Sequence, residues 1–331
     1  MIKILCFNMN DERIPFADAW AKEHDVVVDF CTESLTMENV DFVNGYDGIT
    51  VAQVGAFDSK IFKALEARGI KQIAQRTAGY EIFDLEAAQE ANIIVTNVGN
   101  YSPESIAEYT LMLALQLMRK SHKLDRKVEA RDFRWMPEIR AKLMGESTVA
   151  IIGVGKIGYE VAKLFKGFGA RVIGYDPYPK QGIEDLITFV ESIEEAVAQA
   201  DIVSLHMPAF ANNYHLFDAK MFECMNEDAY LINCGRGTLV DTEALLDAVD
   251  QNIIAGAALD VYEYEAPYIP GKFTDDTIKD KVFLRLLNHE DVIFYHHCAY
   301  YTETSIRNMT QFALDATLEI ITTGDSSYRV N

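Results

Sequence analysis

Residues 148–176 constrain the fold more than any other stretch of the chain. Val149 to Ile152 is a short apolar run suited to a buried parallel strand. Gly153, Gly155 and Gly158 follow it directly as G-x-G-x-x-G. Ile157, Val161, Leu164, Phe165 and Phe168 then recur at helical spacing, and Gly169 marks a stop. Arg171 to Tyr175 reads as a second strand with Asp176 at its end. Gly153 permits the tight strand-to-helix turn. Gly155 lets the backbone approach a pyrophosphate resting on the helix N-terminus, and Gly158 permits close packing of helix on sheet. Asp176 lies near the ~20-residue offset at which a carboxylate accepts hydrogen bonds from an adenosine ribose. Its charge repels a 2′-phosphate, so the pattern predicts NAD rather than NADP. A glycine triplet alone is often only a turn; here strand, glycines, helix, strand and acid coincide.

Short strands and helices alternate on both sides of this unit. Before it, strands are expected at Lys3–Phe7, Val26–Asp29, Gly48–Val51, Gln72–Gln75 and Ile93–Asn97, with helices such as 59–68 and 84–90 between them. Pro103 and Glu104 suit a helix start, and a largely apolar helix is expected from there to Met118. Residues 121–145 are charged, with Phe133, Trp135 and Met136 interspersed, as in either an arm that packs on a neighbour or an ordinary surface helix. After the glycine unit, Ile202–Leu205, Tyr230–Asn233, Ala255–Leu259 and Val292–Tyr295 read as further strands. Glu263 to Asp291 is a long acidic insertion without clear periodicity, and residues 302–322 form an amphipathic helix. The expected fold is α/β: a Rossmann-type doubly wound parallel sheet plus a smaller flavodoxin-like parallel domain. The final helix is expected to cross back to the first domain. The smaller domain would then be discontinuous, residues 1–101 with 300–331, around an NAD-binding domain of residues 102–299.

The 331 residues suffice for two domains, and 49% hydrophobic with 24% charged residues fits a globular core. A formal net charge of −21 argues against nucleic acid and anionic membranes as partners. The five cysteines (Cys6, Cys31, Cys224, Cys234, Cys298) are scattered and odd in number, as expected of reduced thiols in a cytoplasmic protein. The N-terminus reads as a first strand rather than a signal segment, and no apolar run is long enough to span a membrane.

In an open parallel sheet, ligands gather outside the carboxyl ends of the strands. Asp176, His206, Arg236, Asp260 and His297 all stand at such ends and are expected near one crevice. Reducing a 2-keto acid requires a group that binds the carboxylate, one that polarises the ketone and a source of a proton. Arg236 suits the first two tasks, because a guanidinium pairs with a carboxylate bidentately. A histidine suits the third, with an unperturbed pKa of about 6.5, and Glu265 is the carboxylate that would favour its charged form. His296 and His297 compete for this role. Alternation along the strand would put them on opposite faces. A metal site from His206, His296, His297 and Cys298 is not expected, because no recognised ligand spacing is present.

The stretches N-V-G-N-Y-S-P-E-S-I-A-E at 97–108, G-V-G-K-I-G at 153–158, N-C-G-R-G-T-L-V-D at 233–241, L-D-V-Y-E-Y-E at 259–265 and H-C-A-Y-Y-T-E-T at 297–304 resemble the D-isomer-specific 2-hydroxyacid dehydrogenases. Within them, the likeness is to the bacterial branches that act on D-lactate and D-2-hydroxyisocaproate. The resemblance spans the chain. It implies that Arg236 binds and orients the substrate, that His297 rather than His296 is the acid/base, and that Glu265 raises its pKa. It further implies a substrate pocket lined by Ala78, Gly79, Tyr101 and Tyr300. The implied NAD contacts are at Gly153, Gly155, Lys156, Ile157, Gly158, Asp176, His206, Met207, Pro208, Asn213, Cys234, Gly235 and Asp260. It implies a homodimer joined through the dinucleotide domains, and a small 2-keto or D-2-hydroxy acid as substrate.

Two positions depart from the pattern. Ala52 stands where tyrosine is expected in lactate-preferring members, leaving room for a bulkier keto acid, and Gly99-Asn100 replaces a more usual Pro-x. Glutamate at 265 rather than glutamine argues against a formate dehydrogenase. The expected activity is reduction of pyruvate to D-lactate, with a D-2-hydroxyisocaproate-type activity as the alternative. An NAD-sensing corepressor is the rival from another class. The short stretch after the final helix, with no interaction tail, speaks against it.

Overall fold

The alternating apolar runs build two parallel sheets, each with helices on its faces. The computed structural model describes residues 1–53 and 55–331. The chain forms two compact units, one of Met1–Ser102 with Tyr301–Asn331 and a second of Pro103–Tyr300.

The first unit contains β1 (Lys3–Cys6), α1 (Ile14–His24), β2 (Val27–Phe30), β3 (Gly48–Val51), α2 (Lys60–Glu66), β4 (Gln72–Gln75), α3 (Leu85–Glu90) and β5 (Ile94–Asn97). Its sheet runs β2-β1-β3-β4-β5 with every pair parallel, which is the flavodoxin-like 2-1-3-4-5 order. Alternate residues serve two cores. Leu5, Ile49, Ile73 and Val95 pack with Ile61, Phe62 and Leu65 on one face, and Ile4 and Cys6 pack with Trp20 and Leu314 on the other. Both faces are covered, as a parallel sheet requires.

The second unit continues with α4 (Pro103–Arg119), α5 (Ser121–Glu129), β6 (Thr148–Ile152), α6 (Lys156–Gly167), β7 (Arg171–Tyr175), β8 (Thr188–Phe189), α7 (Ile193–Ala198), β9 (Ile202–Leu205), α8 (Ala219–Glu223), β10 (Tyr230–Asn233), α9 (Thr242–Asp250), β11 (Gly256–Leu259), α10 (Lys281–Asn288) and β12 (Val292–Phe294). Its seven-stranded sheet runs β12-β11-β10-β9-β6-β7-β8, the doubly wound 3-2-1-4-5-6 order with one added strand. The order reverses between β6 and β9, which pair in parallel from Val149–Ile202 to Ile152–Leu205. That reversal is the switch point where such sheets open a crevice. Ala107, Leu113 and Leu117 of α4 pack with Val161 and Phe165 of α6 and with Ile151 and Ile232 of the sheet.

The last helix, α11 (Glu303–Thr323), belongs to the first unit and packs on α1, β3 and β4. Trp20 Nε1 of α1 donates to its Asp315 at 2.7 Å. Thr302 caps its start by accepting from the Ser305 N–H, and Gly324 ends it in the left-handed region at φ +88°. Among the described residues no helix is long and apolar enough to cross a membrane.

Two details go beyond the expectations. The acidic insertion, in which no clear periodicity was expected, contains α10, capped by Asp280, which accepts from the Val282 and Phe283 N–H groups. Its buried residues, Phe283 and Leu286, lie three apart on one face, a helical spacing confined to eight residues. The last strand ends at Phe294 rather than Tyr295, with consequences for the two histidines that follow.

Candidate active site

The site is built at the carboxyl edge of the second unit's sheet. Gly153 sits at φ +93°, where a Cβ would lie 2.8 Å from the backbone of His206. A Cβ on Gly158 would lie 2.2 Å from the Gly153 carbonyl oxygen. Glycine is therefore enforced at both positions. At Gly155 a Cβ would meet nothing within 4 Å, and Gly155 begins α6 with no side-chain cap. With no side chain at Gly155 and no side-chain cap, the start of α6 has the uncapped N–H groups that suit an anion. Lys156 is exposed on this first turn and Ile157 packs on the core. At the end of β7, the two Asp176 oxygens accept from the Val154 and Tyr178 N–H groups at 2.8 Å each. Those bonds fix the carboxylate and leave each oxygen able to accept another. The residues present fit a dinucleotide, with pyrophosphate at 155–157 and a ribose at Asp176.

Further strand ends converge on the same edge. His206, after β9, places Nε2 2.8 Å from Ser204 Oγ, and its buried Nδ1 has no hydrogen-bond partner among the described residues. Burial pushes its pKa down to about 3, so the ring is neutral. Met207 and Pro208 follow in a loop closed by Asn213, which accepts from the Phe210 N–H at 2.6 Å and donates to the Pro208 carbonyl at 2.9 Å. After β10, the fully buried Asn233 donates to the Arg236 carbonyl at 2.9 Å and accepts from the Gly235 N–H at 3.0 Å. It thereby shapes the turn from Cys234 to Arg236. Burial pushes the Cys234 thiol far up, so it stays protonated. Asn233 opens the N-C-G-R-G-T-L-V-D stretch, and the signal for its turn-shaping part is an amide closing an otherwise apolar strand.

Asp260, after β11, is buried, and burial pushes its pKa up against the amide bonds that favour its charge. Its two oxygens accept from the Cys298 and Ala299 N–H groups at 2.9 and 2.8 Å, and its carbonyl accepts from the His297 N–H at 2.6 Å. Asp260 thus organises the turn that carries His297. The expected strand alternation does not separate the two histidines, because β12 has ended and His297 itself sits at φ +58°. This turn leaves His296 exposed and sets His297 Nδ1 2.6 Å from Glu265 Oε1. The other Glu265 oxygen accepts from the Tyr262 N–H at 2.9 Å. Burial alone would lower the pKa of His297. The hydrogen bond and charge of Glu265, with the charge of Asp260, outweigh burial and the opposing Arg236, and the net direction is up. The Tyr300 ring stands edge-on to His297 with centroids 6.4 Å apart. Tyr109 of α4, which no motif signalled, places its hydroxyl 3.1 Å from Cys298 Sγ.

Arg236, Glu265, His297 and Tyr300 therefore lie in the second unit with the glycine loop, and Ala78, Gly79 and Tyr101 in the first. There, the Ala78 carbonyl accepts from Asn97 Nδ2 at 2.7 Å, the Gly79 carbonyl from Thr77 Oγ1 at 2.8 Å, and the Tyr101 carbonyl from Asn308 at 2.6 Å. Ala52 follows β3 and donates its N–H to Asn8 Oδ1 at 3.2 Å.

Residues 111–299 match the family described as D-isomer specific 2-hydroxyacid dehydrogenase, NAD binding domain. Over the full length of both chains, the protein is 46% identical across 330 residues to a D-lactate dehydrogenase of Streptococcus agalactiae serotype III (strain NEM316). Among solved structures, it is similar to D-2-hydroxyisocaproate dehydrogenase, with a TM-score of 0.93, 34% identity and 99% of each chain covered. It is also similar to the NAD-complexed D-isomer specific 2-hydroxyacid dehydrogenase of Lactobacillus delbrueckii ssp. bulgaricus, with a TM-score of 0.92, 35% identity, and 99% of this chain and 100% of that one covered. With a likeness of this extent over the whole length, the chain belongs to the D-isomer-specific 2-hydroxyacid dehydrogenases, NAD-dependent oxidoreductases whose NAD-binding domain it carries in residues 111–299.

Proposed function

We propose that this chain is an NAD-dependent D-lactate dehydrogenase, reducing pyruvate reversibly to D-lactate. The observation that carries this reading is the 2.6 Å contact of His297 with Glu265 at the edge that also bears Arg236 and the glycine loop. When bound, a reduced nicotinamide supplies the hydride. Arg236 pairs with the substrate carboxylate and polarises its ketone. Nδ1 of His297 is engaged by Glu265, so Nε2 is the atom that gives a proton to the ketone oxygen, or takes it back from the alcohol. Glu265 fixes the ring and stabilises the imidazolium. Ala78, Gly79, Tyr101 and Tyr300 line the substrate pocket in this account. The smaller unit, Met1–Ser102 with Tyr301–Asn331, serves the substrate in this account, and Pro103–Tyr300 serves the cofactor. Gly153 through Gly158, Asp176, His206 to Pro208, Asn213, Cys234, Gly235 and Asp260 hold the dinucleotide.

A homodimer joined through the dinucleotide domains and a cytoplasmic location with reduced thiols complete the proposal. Apolar side chains exposed on residues 133–143 support a partner surface: Phe133 at 70%, Trp135 at 97% and Leu143 at 61%.

Ala52 favours a second reading, a D-2-hydroxyisocaproate-type activity on bulkier keto acids. A methylene in an apolar pocket is worth about 1–3 kcal/mol of discrimination. The test is kcat/KM for pyruvate and for 2-ketoisocaproate under one set of conditions. Pyruvate ahead supports the first reading. A tenfold preference for 2-ketoisocaproate replaces it with the second.

A further inference from the structure

A second histidine–carboxylate pair lies behind the turn that bears Glu265. His215 Nε2 is 2.6 Å from Glu263 Oε2, and the Glu263 side chain is only 4% exposed. The other Glu263 oxygen accepts from the Thr242 N–H at 3.1 Å, at the positive end of α9. His215 also places Nδ1 3.6 Å from Asp241 Oδ2 and stacks on the Tyr214 ring at 3.9 Å. Its backbone N–H donates to the Thr238 carbonyl at 2.9 Å.

We propose that Glu263 and His215 are positioning residues, which clamp the segments bearing Asn213, Arg236 and Glu265 into one frame and so aim Glu265 at His297. The path is continuous. The backbone of residues 262–263 presses on Gly237, where a Cβ would lie 2.3 Å from the Tyr262 carbonyl carbon. Gly237 follows Arg236 directly. Tyr262, adjacent to Glu263, donates its N–H to Glu265 Oε2, while Glu265 Oε1 meets His297. Tyr262 is itself locked, stacked on Phe283 at 4.8 Å with its hydroxyl donating to Asp280 at 2.5 Å. One face of the 262–263 backbone is thus fixed by the core, and Glu263 with His215 fixes the other. A buried carboxylate with both oxygens engaged has two positions it cannot leave without an unsatisfied partner. The charged groups acting on His297 are Glu265, Asp260 and Arg236; those on His215 are Glu263 and Asp241.

This inference rests on the role proposed for His297, and its test keeps the two separable. The His297 imidazole is titrated by NMR in the full-length wild type, Glu263→Ala, Glu263→Gln and His215→Ala, with His297→Gln for assignment. Steady-state keto-acid reduction is measured on the same samples across pH. Glu263→Ala and His215→Ala are expected to move the His297 midpoint and the alkaline limb of kcat to lower pH. The expected loss of kcat is about ten- to a hundredfold, the scale of a reacting group misplaced by up to 1 Å. Glu263→Gln, which keeps shape and hydrogen bonding, is expected to restore most of it. An unmoved His297 midpoint in Glu263→Ala, with or without a lowered melting temperature, overturns the positioning role. Absence of turnover by the wild type overturns the proposed activity instead, and the NMR titration still decides the positioning role.

Discussion

Replacing Glu265 with glutamine removes one charge and little volume, so it isolates what that charge does. In the wild type, the 2.6 Å bond to His297 Nδ1 favours the imidazolium. A charge-assisted hydrogen bond is worth about 1.5–3 kcal/mol. The side chains of His297 and Glu265 are 39% and 23% exposed, so solvent screening points to the lower part of that range, about 1.5–2 kcal/mol. At 1.36 kcal/mol per tenfold, the imidazolium loses a factor of about 10–30 in stability. In the proposed mechanism reduction needs protonated His297, whose pKa is raised, so wild-type activity is expected to persist as pH rises until that raised pKa is passed. The Glu265→Gln limb falls at lower pH. Wild type and variant are expected to converge in acid, to diverge as pH rises, and to differ in kcat/KM by a constant factor of about 10–30 once both limbs are passed. For oxidation of the 2-hydroxy acid, which needs neutral His297, the acidic limb is expected to move down and the variant to gain at low pH. The assay is NADH oxidation by pyruvate, and NAD reduction by D-lactate, in a constant-ionic-strength buffer series. A loss of equal size at every pH would refute the reasoning, because it would mean that Glu265 acts without tuning His297.

His297→Ala removes the proposed proton donor, and turnover is expected to fall by about 10²–10⁴-fold with NADH affinity nearly unchanged in fluorescence titrations. Arg236→Lys keeps the charge but loses the planar fork, so kcat/KM for the keto acid is expected to drop while NADH binding holds; an unchanged kcat/KM would count against carboxylate recognition there. Asp176→Asn removes the charge that disfavours a 2′-phosphate, and the ratio of kcat/KM for NADPH to that for NADH is expected to rise. Gly153→Ala forces a Cβ to within 2.8 Å of the His206 backbone at φ +93°, and a denaturant melt is expected to show a loss of more than about 1 kcal/mol.

Much of this architecture was legible in the chain because parallel strands buried on both faces read as short apolar runs. Val149–Ile152, Ile202–Leu205 and Tyr230–Asn233 stand out for that reason, and the rule that strand carboxyl ends face the crevice then gathers Asp176, Arg236, Asp260 and His297. The supporting contacts were not legible. Glu263 meets a histidine 48 residues away, and Tyr109 meets a cysteine 189 residues away. Neither pair shares a local pattern: the first joins two loops and the second joins α4 to the loop after the last strand, and each exists only once the sheet has brought its two segments together. The His296/His297 ambiguity could not be resolved by alternation, because the chain leaves the strand before reaching them and turns at φ +58°. In α10, Phe283 and Leu286 do recur at helical spacing, but over only eight residues set in an otherwise irregular acidic stretch.

The central claim is stereospecific reduction of pyruvate with NADH as the donor. The most direct measurement incubates the protein with pyruvate and NADH carrying deuterium at both C4 positions, then resolves the product on a chiral column with mass detection. D-lactate carrying one deuterium at C2 is the predicted result. L-lactate, racemic product or no labelled lactate at all would contradict the account.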